Sequence, residues 1–178
     1  LEGDRHGLYR ILRAAKNRFG STNEIGVFHM GERGMAEVAN PSQVFLSDRS
    51  AEAKGNVAVC SIEGTRPILA EIQALVSNSS FGYPQRVATG FDSRRMAILI
   101  AVLEKRCGLN LGSQDVFINV AGGLRTGEPS VDLGAALAMA SSFRDRPISG
   151  GTLAIGEVGL GGEIRPVAQA GRRVLEAH

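Results

Sequence analysis

Three groups of residues in this sequence have the types and spacing to do chemistry. The first is Lys16-Asn17-Arg18-Phe19-Gly20, in which two cations flank a carboxamide and an aromatic sits at a glycine turn. Lys and Arg can hold phosphate while Phe packs or stacks on a base. In oligomeric ATPases an exposed cation can also reach a neighbour's nucleotide and stabilise charge developing at the transferred phosphate. The residues alone fit equally a solvated hairpin tip anchored by Phe19. The second is Ser130, in Gly127-Glu128-Pro129-Ser130 at the start of a small-residue helix. A Ser hydroxyl is a weak nucleophile without an adjacent base, and the simpler reading is a helix N-cap. The third is a set of arginines, Arg66, Arg86, Arg94, Arg95 and Arg125. Arg94 and Arg95 stand in the first turn of a helix, where the dipole favours acids, so an external anion is implied. Arg125 follows Gly122-Gly123, where backbone amides could approach a phosphate. Surface or intersubunit ion pairs are the alternative for all five.

The composition sets bounds on these readings. The chain has 178 residues, 43% of them hydrophobic and 21% charged, as in an ordinary soluble protein with one sizeable core or a core and part of another. The apolar run Met96 to Leu103 is too short to span a bilayer, and no secretory signal opens the chain. A cytoplasmic protein with no membrane partner is expected. Cys60 and Cys107 lie far apart and only His6, His29 and His178 could join them, so no metal is expected and both thiols read as buried and free. Of 20 basic residues 17 are Arg, which suits phosphate but also follows from codon bias. The start without Met and the end within an apparent helix read as a fragment of something longer.

Two short apolar runs flank Phe19-Gly20-Ser21-Thr22-Asn23. Helix or strand would suit the first, and the turn chemistry favours a hairpin. Residues 31 to 56 read as a connector and hold the expected domain boundary. Strands are expected at Val57 to Ile62, Pro67 to Val76, Gln85 to Gly90, Asp115 to Val120 and Thr152 to Glu157. Helices are expected from Ser93 to before Gly108 with Met96, Ile100 and Leu103 inward, from Val131 to Ser142, and from Val167 onward. This order predicts an α+β fold.

The strings Glu2-Gly3-Asp4-Arg5-His6 and Lys16-Asn17-Arg18-Phe19-Gly20-Ser21-Thr22-Asn23-Glu24-Ile25-Gly26-Val27-Phe28 resemble the RadA (Sms) bacterial DNA-repair family, whose signature is the Lys-Asn-Arg-Phe-Gly pentapeptide. The resemblance continues through Asn40-Pro41-Ser42, Phe45-Leu46, Gly64-Thr65-Arg66-Pro67 and Gly156-Glu157-Val158-Gly159-Leu160 to Glu163-Ile164-Arg165. It implies a RecA-like ATPase that forms hexameric rings and drives branch migration on single-stranded and branched DNA, with the recombinase RecA as a partner. Residues 1–50 would be the C-terminal strands of the ATPase core, with Lys16 and Arg18 in ATP-driven work on DNA. Residues 51–178 would be a Lon-protease-like domain (the ribosomal protein S5 domain 2-like fold), truncated at its C-terminus.

The resemblance also specifies what is missing. No G-x-x-x-x-G-K-[ST] loop occurs, and neither does the family's four-cysteine zinc finger. ATP, Mg and zinc are therefore expected in the full-length protein only, and the fragment should not hydrolyse ATP. Active Lon-type peptidases pair the Ser with a Lys, and the position corresponding to that Lys is Gly171. No Lys follows Lys105; Arg172 and Arg173 stand nearby, but a guanidinium remains protonated and cannot act as a base. Asp132 replaces the glycine found two residues beyond the peptidase Ser. The expected function is DNA binding and ring formation without peptidase activity; a scaffold that makes no DNA contact, or a residual Ser peptidase, are the alternatives.

Overall fold

The computed structural model describes residues 9–13, 16, 18, 25–31, 34–38, 40–46, 52–80 and 82–177. Strands β1 (Tyr9–Arg13), β2 (Ile25–Gly31) and β3 (Gly34–Glu37) form a small antiparallel sheet in the order β1-β2-β3. Ile11 is in register with Val27, and His29 with Ala36. The hairpin expected from the turn chemistry is therefore present. The stretch read as a connector holds more structure than expected: β3, then the short helix α1 (Pro41–Leu46). Its first helical residue is Pro41, whose fixed φ and missing N–H suit that position.

The larger sheet is built from β4 (Asn56–Glu63), β5 (Arg66–Asn78), β6 (Arg86–Thr89), β7 (Gln114–Val120) and β8 (Leu153–Ala154), in the order β6-β7-β5-β4-β8. Its central pairs are antiparallel, whereas β6 on β7 and β8 on β4 are parallel. With α2 (Ser93–Cys107) and α3 (Asp132–Phe143) packed on it, the fold is α+β, as expected. Alternation along the strands puts Val57, Val59, Ile68, Ile72, Val116 and Ile118 on one face, all buried. Helix α2 turns Met96, Leu99, Ile100 and Leu103 to this core, and α3 adds Ala135, Ala138 and Met139. The small residues of α3 let it lie close: a Cβ at Gly134 would come within 2.1 Å of Val59 Cγ1.

Asp92 caps α2 by accepting a hydrogen bond from the Arg95 amide at 2.7 Å, and left-handed Gly108 (φ 66°) closes it. The strand expected over Thr152 to Glu157 is instead split into β8 and β9 (Glu157–Val158), which pairs with β10 (Ile164–Arg165). The reason is Gly156. Its N–H donates to the Ser130 carbonyl at 2.9 Å and its carbonyl accepts from the Leu133 amide at 3.1 Å, so it serves the start of α3 rather than a ladder. The last helix, α4 (Ala170–Glu176), starts three residues later than Val167, after Gln169 enters with φ 55°. Cys60 is buried as expected, but Cys107 is exposed, because it is the last residue of α2, a turn beyond the buried Leu103. No helix among the described residues is long and apolar enough to cross a membrane.

Gly90 joins β6 to α2 at φ 71°, and its carbonyl accepts the Thr126 amide at 2.9 Å. A Cβ there would sit 2.3 Å from the Leu124 carbonyl oxygen, which is backbone and cannot swing aside. Left-handed strain of about 1–2 kcal/mol adds to the clash. Gly90→Ala is expected to destabilise the chain by about 3 kcal/mol in urea unfolding.

Candidate functional site

The site is best built from the free edge of β4. Strand β8 pairs only with Ala58 and Val59, so beyond it the carbonyl of Cys60 and the amide of Ile62 point at no strand. Buried backbone groups must find partners. Here an ion pair supplies both. Arg173 of α4 donates from Nη1 to the Cys60 carbonyl at 2.6 Å, and Glu128 accepts the Ile62 amide on Oε1 at 2.6 Å. The two side chains meet as a fork, Nη1 to Oε1 at 2.6 Å and Nη2 to Oε2 at 2.7 Å. Only 2% of the Arg173 side chain is exposed, against 27% for Glu128.

Ser130 lies inside this arrangement, 3% exposed. Its Oγ accepts from Arg173 Nη1 at 2.9 Å and donates a long bond to the Cys60 carbonyl at 3.5 Å. The N-cap reading of Ser130 is therefore wrong. Its hydroxyl makes no capping bond, because Gly156 already serves the Leu133 amide. The groups beside the hydroxyl are a guanidinium, which only donates, and the Glu128 carboxylate, which is held below its ordinary value. Gly171 places no side chain here, and a Cβ at that position would meet nothing within 4 Å; Arg173, two residues on, is the α4 residue that reaches Ser130.

The electrostatics agree with the geometry. Burial would raise the Glu128 carboxyl, but bonds from Arg173, the Ile62 amide and Ser130 outweigh it and hold the group below its ordinary value. The same Glu128 bond raises Arg173 further above its ordinary range. Burial pushes the Cys60 thiol up to about 11, despite the nearby Arg173 charge, so it stays protonated and unreactive at neutral pH.

A second ion pair repeats the device. Arg95 grips Asp132 through Nε at 2.8 Å and through Nη2, and Nη2 also donates to the Val158 carbonyl at 2.8 Å. Asp132, fully buried, accepts the Val158 amide at 3.2 Å. Asp132 thus ties α3 to α2 and β9. Beside the two pairs opens a cleft of about 260 Å³, walled by Phe91, Thr126 and Pro129 together with Arg95, Asp132 and Glu128.

The structure divides the five arginines expected to meet DNA. Arg95 is committed to Asp132 and Val158. Arg86 is committed to carbonyls, those of Gln85, Leu111, Gly112 and Gln114. Neither is a free cation, because each is engaged by several acceptors of its own fold. Arg66 is half-buried beside the β4–β5 turn and has a polar contact of its own. Arg94 and Arg125 are exposed, without an ion partner among the described residues. Lys16 and Arg18 are also exposed; Asn17, Phe19 and Gly20 lie outside the described residues. No group of three or more metal-binding side chains occurs among the described residues. The sequence reading missed Glu128 and the Arg95–Asp132 pair. The one available signal was the acid two residues to either side of Ser130, since a buried acid requires a cation.

Removing Arg173 leaves Glu128 and the Cys60 carbonyl without their main partner. Arg173→Ala should cost about 3 kcal/mol in urea unfolding, whereas Ser130→Ala should cost about 1 kcal/mol. Glu128 has a pKa lowered by folding, so the unfolded chain binds its proton more readily and the stability it confers is present at higher pH. That share should vanish as pH falls through the lowered pKa, below the ordinary 4.5. Unfolding midpoints between neutral and acid pH should therefore fall less steeply for Glu128→Gln than for the parent chain.

No family model matches the chain. Curated proteins do. The chain is 57% identical over 177 residues to the DNA repair protein RadA of Halalkalibacterium halodurans, and 56% identical to those of Bacillus subtilis and Listeria monocytogenes. Each match covers 99% of the chain and 39% of the relative, so the chain spans well under half of their length. Similarity at this level along 177 residues means that the chain belongs to the RadA DNA repair family, as a C-terminal fragment of it.

Proposed function

We propose that this chain is the DNA-facing, ring-forming part of a DNA-repair ATPase that drives branch migration in recombination, and that it has no peptidase activity. Residues 1–50 then belong to the end of a RecA-like core and residues 51–178 to a Lon-protease-like domain. The observation that carries the DNA reading is the exposure of Arg94 and Arg125. The Thr126–Gly90 bond ties the loop that carries Arg125 to the turn leading into α2, whose first turn carries Arg94, and neither cation is used inside the fold. Two exposed guanidinium groups, one on a helix start and one on the loop tied to it, suit a phosphate backbone. Exposed Lys16 and Arg18 are the proposed motor residues, acting on nucleotide or DNA in the assembled hexamer. ATP and Mg belong to the remainder of the protein, since this sequence has no phosphate loop. RecA is the proposed recombinase partner.

The absence of peptidase activity rests on the guanidinium at 2.9 Å from Ser130 Oγ. The carboxylate within reach, Glu128, is held below its ordinary value and is a poor acceptor for the Ser130 proton. A scaffold that only builds subunit interfaces is the second reading, supported by the diversion of Arg86 and Arg95 to internal bonds.

Fluorescence anisotropy of labelled single-stranded DNA across a salt series separates the two. The parent chain should bind with an affinity that falls steeply with salt. Removing Arg94 and Arg125 together should flatten the log–log slope by about 1.4, or about 0.7 per lost phosphate contact. A ring that binds no DNA at low salt would establish the scaffold instead.

A further inference from the structure

Helix α4 is held in an unusual way. It has only seven residues, no side-chain cap at its start, and an entry through Gln169 in the left-handed region. Helices this short do not persist alone in water, and a left-handed non-glycine residue adds strain. Apolar packing does not compensate, since Val174 and Leu175 are 47% and 74% exposed. What holds α4 is polar. Arg173 reaches the Cys60 carbonyl, Glu128 and Ser130, and Arg172 donates to the Thr65 carbonyl at 2.8 Å. At the other end Glu176 accepts from Ser42 Oγ of α1 at 2.6 Å. Ser42 Oγ in turn accepts the Leu69 amide at 3.0 Å. That amide has no strand partner, because β7 pairs with β5 only from Ile72 onward.

We propose that α4 is a conditional helix, formed only while both anchors hold, and that it couples α1, which follows the small sheet, to the Glu128 wall of the cleft. The physical reason is cooperativity within one short helix. Losing either anchor removes support that the helix cannot replace, and the unwound segment no longer presents the other anchor. Movement of α1 is thereby felt at Glu128 and Ser130, and displacement of Arg173 is felt at α1. The coupling is independent of whether the exposed arginines meet DNA.

Two amides report the two arms separately. The Ile62 amide bonds Glu128 on the cleft side, and the Leu69 amide bonds Ser42 on the α1 side. Neither variant residue touches the distant reporter directly. Amide hydrogen exchange by NMR on the full chain should show Glu176→Gln lowering protection at Ile62 as well as Leu69, several-fold at each. Arg173→Gln should likewise deprotect Leu69 as well as Ile62. Amides of Ile118 and Met139 in the core should keep their protection, which separates local release from global unfolding. If each variant deprotects only its own reporter, α4 does not couple the arms. Should Arg173→Gln fail to fold, Arg172→Ala with Glu176→Gln completes the same comparison. Loss of protection everywhere in these variants would also overturn the proposal, by making α4 part of the global folding unit.

Discussion

The structure depends on how β4 ends its ladder. A strand at a sheet margin presents backbone donors and acceptors, and burying them unpaired costs about 1–3 kcal/mol each. Strand β8 is too short to cover Cys60 and Ile62, and the Arg173–Glu128 pair takes its place. The guanidinium donates where an amide would have donated, and the carboxylate accepts where a carbonyl would have accepted. Arg95 and Asp132 do the same for Val158. Each pair stands in for a piece of strand, and the helices that carry the pairs are held in place as a result.

This arrangement decides what Ser130 can be. A buried ion pair is tolerated only with good geometry and with its remaining donors and acceptors satisfied. Ser130 Oγ is one of the acceptors that satisfies Arg173, so its lone pair is engaged in the ion-pair arrangement. The hydroxyl is thereby part of the packing of the ion pair. Cys60, directly beneath, is kept protonated by burial.

Elements with a strong local signature were legible in the sequence. The strands around Val59, Ile72 and Ile118 and the helix carrying Met96, Ile100 and Leu103 follow from apolar spacing, and Gly108 marks the helix end as its backbone requires. Elements governed by distant contacts were not. The break at Gly156 reflects hydrogen bonds to Ser130 and Leu133 more than twenty residues earlier, and no local pattern encodes them. Arg95 looked like a cation waiting for an anion because its partner, Asp132, is thirty-seven positions away.

The sequence by itself determined the α+β class, the family resemblance, and the lack of a lysine able to serve Ser130. Those follow from residue identity and short-range periodicity, which act along the chain. Only the tertiary structure decided which arginines are available, what Ser130 bonds to, and how a seven-residue helix persists. These depend on which backbone groups each strand leaves unpaired, and that is known only once the strands have found their neighbours.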